Sequence, residues 1–168
     1  MRQHADRLAV TALVLPTRDQ DAAAEEIGEP GVVRVVRGDL TDAPLMARLV
    51  SEADLVVHLG GMVPPAADQD PVRTRRVNVG AMRNIVAGVK ALPDPGRVTV
   101  VGVGSVAQTG PRPQPVHWGR VGDPLRASDM DLYAQSKIAA ERILGLGPAS
   151  LDVAETDRDA VCLGPAPA

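Results

Sequence analysis

The chain has 168 residues, 45% of them hydrophobic, enough for one domain with a sizeable core. Its formal net charge is -3 with acids and bases interspersed, so no basic face points to nucleic acid. No apolar run approaches the roughly 18 residues of a membrane helix, the start has no signal-peptide pattern, and a lone Cys162 excludes an intrachain disulfide and lacks metal-ligand spacing. A reduced, cytoplasmic setting is the default expectation.

Aromatic residues are nearly absent: Trp118, Tyr133 and no Phe. The core must therefore come from Val, Leu, Ala, Ile and Met. In chain order, MRQHADR resembles the last turns of a helix, and AVTALVL (9–15) then reads as a strand. DQDAAAEEIG follows with a helical pattern. VVRVVR (32–37) is a second strand, and TDAPLMARLVSEA a second helix, with Asp42 as its cap and Pro44 just inside. DLVVHLG (54–60) is a third strand. The long PVRTRRVNVGAMRNIVAGVKAL opens at Pro71 behind Asp70, again a cap and a first-turn proline. RVTVVGV (97–103) is a fourth strand, MDLYAQSKIAAERIL a last helix, and DAVCL (159–163) a last strand. Short β-branched strands alternating with helices predict right-handed crossovers and a parallel sheet covered on both faces. The fold class is α/β, a doubly wound Rossmann-like sheet in a single domain.

TGPRPQPVHWGRVGDPL breaks this rhythm, a proline-rich loop over 109–126 that leaves the carboxyl end of the fourth strand. Ligands in open α/β sheets sit at strand carboxyl ends, so the loop could cover a pocket with His117 and Trp118 inside it. A proline-stiffened surface loop anchored by Trp118 reads equally well. GVGSVA (102–107) has the spacing of a dinucleotide-binding turn, but Pro111, Pro113 and Pro115 follow where a helix must start. It reads better as a strand end presenting Ser105.

YAQSK (133–137) holds the only tyrosine and one of two lysines, the other being Lys90. At i and i+4 the phenol and the ammonium share a helix face. A free phenol titrates near pH ~10, and a neighbouring cation favours its ionised form. A serine hydroxyl nearby could hold a substrate oxygen. A half-buried tyrosine and a solvated lysine on a surface helix would give the same spacing.

GDLTD (38–42), DLVVHLGG (54–61), VNVGAMRNIV (77–86), VVGVGSVAQTG (100–110), YAQSK and DAVCLGPAPA (159–168) occur in an order that resembles the extended short-chain dehydrogenase/reductase family, NAD-dependent epimerase/dehydratase-like branch. The resemblance implies an NAD(P)-dependent oxidoreductase or epimerase acting on a small-molecule substrate at a hydroxyl or carbonyl carbon. It assigns Ser105, Tyr133 and Lys137 to catalysis. Asp39, Leu40, Leu59, Gly60, Gly61, Tyr133 and Lys137 would bind NAD or NADP, with Asp39 at the adenine amine, Leu40 at its ring edge and Lys137 on the ribose. Asn78 would be a structural hydrogen-bonder, and no metal is implied. Arg18 could meet a 2'-phosphate and favour NADP, or simply start a helix in water. Helices 71–91 and 130–145 would suit a homodimer through Met82, Val86, Ile138 and Ile143.

The chain departs from that family at both ends. The opening strand and glycine-rich βα turn have no match before AVTALVL, and the substrate region beyond GPAPA has none either; Gly164 stands where the family usually has Arg. In the strand order 3-2-1-4-5-6 the missing strand is central. The strands at 9–15 and 54–60 are then expected to keep unpaired inner edges. They would either move together, take a strand from another chain, or mark a fragment. A truncated, non-catalytic nucleotide-binding or interaction module is the alternative reading.

Overall fold

A computed structural model of the chain describes residues 8–27, 33–111 and 124–145. The expected strand at 159–163, MRQHADR, and His117 and Trp118 lie outside the described residues. Four strands are present: β1 (Val10–Val14), β2 (Val33–Arg37), β3 (Leu55–His58) and β4 (Thr99–Gly102). Between and after them come α1 (Arg18–Ile27), α2 (Ala43–Ser51), α3 (Ala66–Gln69), α4 (Pro71–Lys90) and α5 (Leu132–Gly145). Each of these strands and four of the helices were expected. The four-residue α3 was not, because Ala66–Gln69 follows Pro64 and Pro65 and is too short to show a period.

Local chemistry sets the helix starts. The Asp42 carboxylate accepts from the Leu45 amide at 3.0 Å, and that of Asp70 accepts from the Arg73 amide at 2.9 Å. Each satisfies one of the orphan donors at a helix N-terminus, and Pro44 and Pro71 sit where a missing N–H costs nothing.

The strands form two separate two-stranded parallel sheets, β1–β2 and β3–β4. Val10 pairs with Val33 and Val14 with Arg37; Leu55 pairs with Thr99 and His58 with Gly102. Among the described residues β1 and β3 do not pair with each other, so the unpaired inner edges expected from the sequence are present. Both sheets rest on one helix layer. Met46 and Val50 of α2, Ile85 and Val89 of α4, and Val98 form a buried cluster. Leu13 of β1 packs against it from one sheet, and Val56 and Val100 pack against it from the other. Fully burying side chains such as Val50 and Ile85 stabilises by about 1.5–3 kcal/mol each.

Coverage on both faces, expected from the apolar strands, holds only in part. α1 lies against β1, but among the described residues the β3–β4 pair is covered on one face alone. Val56 and His58 turn toward the helices, while Leu55 and Val57 are 56% and 51% exposed. No described helix lies over that outer face.

The side chains expected to be exposed on α4 and α5 are largely buried instead. Met82 and Val86 of α4 are buried against Ala140 of α5, with Ile143 and Leu144 packed on the cluster, and Ile138 is buried too. These side chains hold α4 to α5 within the chain. No helix among the described residues is long and apolar enough to cross a membrane.

Candidate functional site

β4 ends at Gly102, and Val103 and Gly104 carry the chain to Ser105. Ser105 caps a 3-10 turn, Val106–Thr109, and its Oγ accepts from the Ala107 amide at 3.3 Å. The short turn leads on to Gly110 and Pro111, so within the described residues up to 111 GVGSVA runs into a 3-10 turn and not an α-helix. Gly110 has φ 60°, and a Cβ there would lie 2.0 Å from the Arg126 carbonyl oxygen. Only glycine tolerates both. The two ends of the proline-rich loop therefore meet beside Ser105, where the Arg126 amide also donates to the Gln108 carbonyl at 2.8 Å.

Tyr133 lies in the first turn of α5 and Lys137 one turn on. Asn78 of α4 fixes that first turn. Its Oδ1 accepts from the Met62 amide at 2.7 Å, and its Nδ2 donates to the Met62 carbonyl at 3.1 Å and to Ser136 Oγ at 2.9 Å. Ser136 in turn donates to the Tyr133 carbonyl at 2.7 Å. Asn78 thus ties the exit of β3 to the helix that carries the tyrosine and lysine. The expected structural role of Asn78 is what the geometry shows.

Lys137 Nζ donates to the Val103 carbonyl at the end of β4. Burial lowers the pKa of its ammonium below the usual lysine value, and the Glu141 carboxylate one turn later opposes that shift. Beside it runs a cavity of about 200 Å³ between the β3–β4 ends and the α4–α5 pair. His58, Gly60, Asn78, Lys137 and Glu141 line it with Gly102–Gly104 and the apolar Met82 and Leu144. His58 is buried, and desolvation together with the Lys137 charge lowers its pKa.

Of the expected site residues, Gly60 and Lys137 meet at this cavity. Leu40 also comes close to Gly60, since a Cβ on Gly60 would lie 2.6 Å from Leu40 Cδ1. Asn84 holds the Leu40 carbonyl at 3.0 Å. Asp39 accepts from both the amide and the hydroxyl of Thr41, each at 2.8 Å. The Thr41 amide lowers the Asp39 pKa most, opposed by burial and helped by the Thr41 hydroxyl, Arg76 and Arg73. Gly61 sits against Asn78, Leu59 is 74% exposed, and Tyr133 and Ser105 are half-buried outside the cavity lining. Arg18 opens α1.

Gln108 and Glu141 were not among the expected residues. Gln108 Oε1 accepts from the Ser105 amide, while its Nε2 donates to the Glu141 carboxylate. The signal was present: S-V-A-Q has the spacing of a capping box, and Glu141 stands four residues after Lys137.

Residues 3–145 match the NAD dependent epimerase/dehydratase family. The chain belongs to that family. Solved structures agree on the fold. One is dTDP-glucose 4,6-dehydratase from Bacillus anthracis in complex with NAD, at TM-score 0.68 and 15% identity, covering 87% of this chain and 43% of that one. A UDP-Glc/GlcNAc 4-epimerase from Campylobacter jejuni gives 0.69 at 19% identity, covering 85% and 43%. A putative epimerase from Burkholderia cenocepacia gives 0.65 at 25% identity, covering 89% and 45%. The chain thus spans less than half the length of these structures. Family members bind NAD, as the Bacillus anthracis complex shows.

Two of the residues present have chemistry that a dinucleotide could use. The Asp39 carboxylate can accept from an adenine amine, and the half-buried Lys137 ammonium can donate to ribose hydroxyls beside the Cβ-free backbone of Gly60, Gly102 and Gly104. Among the described residues no glycine turn leads into a helix that would cradle the pyrophosphate.

Proposed function

We propose that the chain supplies the proton-transfer side of an NAD(P)-dependent oxidoreductase or epimerase reaction at a hydroxyl or carbonyl carbon. Bound nicotinamide supplies the acceptor or donor of the hydride. Tyr133 takes the proton from the substrate hydroxyl, or returns it to the carbonyl. Ser105 donates its O–H to the same substrate oxygen, because its Oγ already accepts from the Ala107 amide. Lys137 donates to the ribose and, as a cation on the same helix face, favours the ionised phenol.

The observation that carries this reading is the fixing of α5 by Asn78 and Ser136 beside the glycine-lined ends of β3 and β4. It brings Lys137 to a cavity where donors and bare backbone meet. The Bacillus and Campylobacter enzymes bear the names of dTDP-glucose and UDP-Glc/GlcNAc, so nucleoside-diphosphate sugars are the first substrates to try.

One observation favours a second reading, a non-catalytic nucleotide-binding or interaction module. Lys137 spends a donor on the Val103 carbonyl, which holds the helix to the strand with no ligand involved. Turnover in the wild-type chain and in Tyr133→Phe separates the two readings, and calorimetric titration of NAD and NADP into the full chain tests the cofactor role of Lys137. The first reading expects binding, and Lys137→Met weakening it roughly tenfold through loss of charge-assisted hydrogen bonds. No measurable binding, or equal affinity in Lys137→Met, removes Lys137 from the cofactor site.

A further inference from the structure

Ser105 stands on a turn and Tyr133 and Lys137 on a helix. Something must keep the turn in register with the helix. The side chain of Gln108, 2% exposed, spans the two. Its oxygen accepts from the Ser105 amide and its nitrogen donates to Glu141 of α5, one turn beyond Lys137. The backbone of Gln108 is held too, by the Ser105 carbonyl at 3.1 Å and the Arg126 amide at 2.8 Å. A buried glutamine with every group used is a rigid part, since any lost partner would leave a desolvated donor or acceptor. Gly104 makes the arrangement fit: a Cβ there would lie 2.8 Å from Gln108 Oε1 and 3.7 Å from Glu141 Oε2.

We infer that Gln108 and Glu141 are positioning residues, a clamp that holds Ser105 in register with the helix bearing Tyr133 and Lys137. Its importance for catalysis rests on the Ser105–Tyr133–Lys137 reading; its existence does not. Glu141 does two things at once. Its carboxylate takes the Gln108 hydrogen bond, and its charge faces the Lys137 ammonium and opposes the effect of burial there. The two roles separate chemically, because a glutamine at 141 keeps an acceptor oxygen and loses the charge.

The test reads the clamp on the full chain without cofactor or substrate. Amide hydrogen exchange of Ser105 is followed by NMR, and Lys137 is titrated in lysine-labelled protein, where Lys90 is the only other signal. Gln108→Ala and Glu141→Ala should each speed Ser105 exchange roughly tenfold, the size expected when one buried hydrogen bond is lost. The double variant should go little further, since both break one linkage. Gly104→Ala should act like Gln108→Ala. Glu141→Gln should restore slow exchange while still shifting the Lys137 titration downward. Ser105 exchange unchanged in Glu141→Ala overturns the clamp, as do additive effects, or acceleration spread evenly over α5. Failure of the functional reading looks different: NAD-linked turnover indifferent to Tyr133→Phe, with the Ser105–Glu141 coupling intact.

Discussion

Among the described residues His58 is the one histidine, and its titration can be read. It is 8% exposed in β3, and burial, then the Lys137 charge, holds its pKa below the ordinary 6.5. The unfolded chain then takes up the proton first as pH drops. Stability is full above pH 6.5, falls as pH drops from 6.5 to the lower folded value, and no longer changes through this group below that. Urea unfolding at pH 7.5 and pH 5.5 should show a loss that His58→Gln reduces. An equal loss in the variant would place the titrating group elsewhere. Lys137 works in the same direction at high pH, with stability rising as pH climbs from its lowered value to 10.5. Each residue of YAQSK that sequence could rank was ranked by rarity, which singled out Tyr133 and Lys137. Ser136 went unnoticed because serines are common, and its partner Asn78 is 58 positions away.

Among the elements, the α4–α5 pair positions the site. Its apolar contact joins Met82 and Val86 to Ala140, and its polar contact is Asn78. Asn78 is 3% exposed, and its loss would remove the partner of the Met62 amide and carbonyl and one hydrogen bond to Ser136 Oγ, which still donates to the Tyr133 carbonyl. Asn78→Ala should therefore cost about 2–4 kcal/mol in urea unfolding, three lost hydrogen bonds adding up. A loss under about 0.5 kcal/mol, the size of an ordinary surface change, would show the network to be dispensable. The elements themselves were legible in the sequence because their signals are local: Asp42 and Asp70 before first-turn prolines, β-branched runs of strand length, and prolines after GVGSVA that forbid a helix. The pairing of helix faces is not local. Met82, Val86 and Ile138 have the same periodicity whether they meet a neighbouring helix or another copy, and the fold assigns them to the former.

At the scale of the molecule, two parallel two-stranded sheets share one helix layer and stay unpaired along β1 and β3. That separation was expected from block order, because the family resemblance places a further strand between β1 and β3. The bare outer face of β3–β4 could not be, since apolar strands look alike whether one face or both are covered. Within this frame the glycine-rich ends of β3 and β4, the turn at Ser105 and the first turns of α5 converge, and they belong to a family whose members bind NAD. Under the proposed function Tyr133 moves the proton. That role is tested most directly by turnover of UDP- and dTDP-sugars with NAD in the full chain and in Tyr133→Phe, with folding checked by circular dichroism. Wild-type turnover is expected, with a fall of roughly 10²–10⁴-fold in kcat in the variant, the usual worth of a positioned acid or base. Turnover in Tyr133→Phe equal to wild type, or none in the wild-type chain, would contradict it.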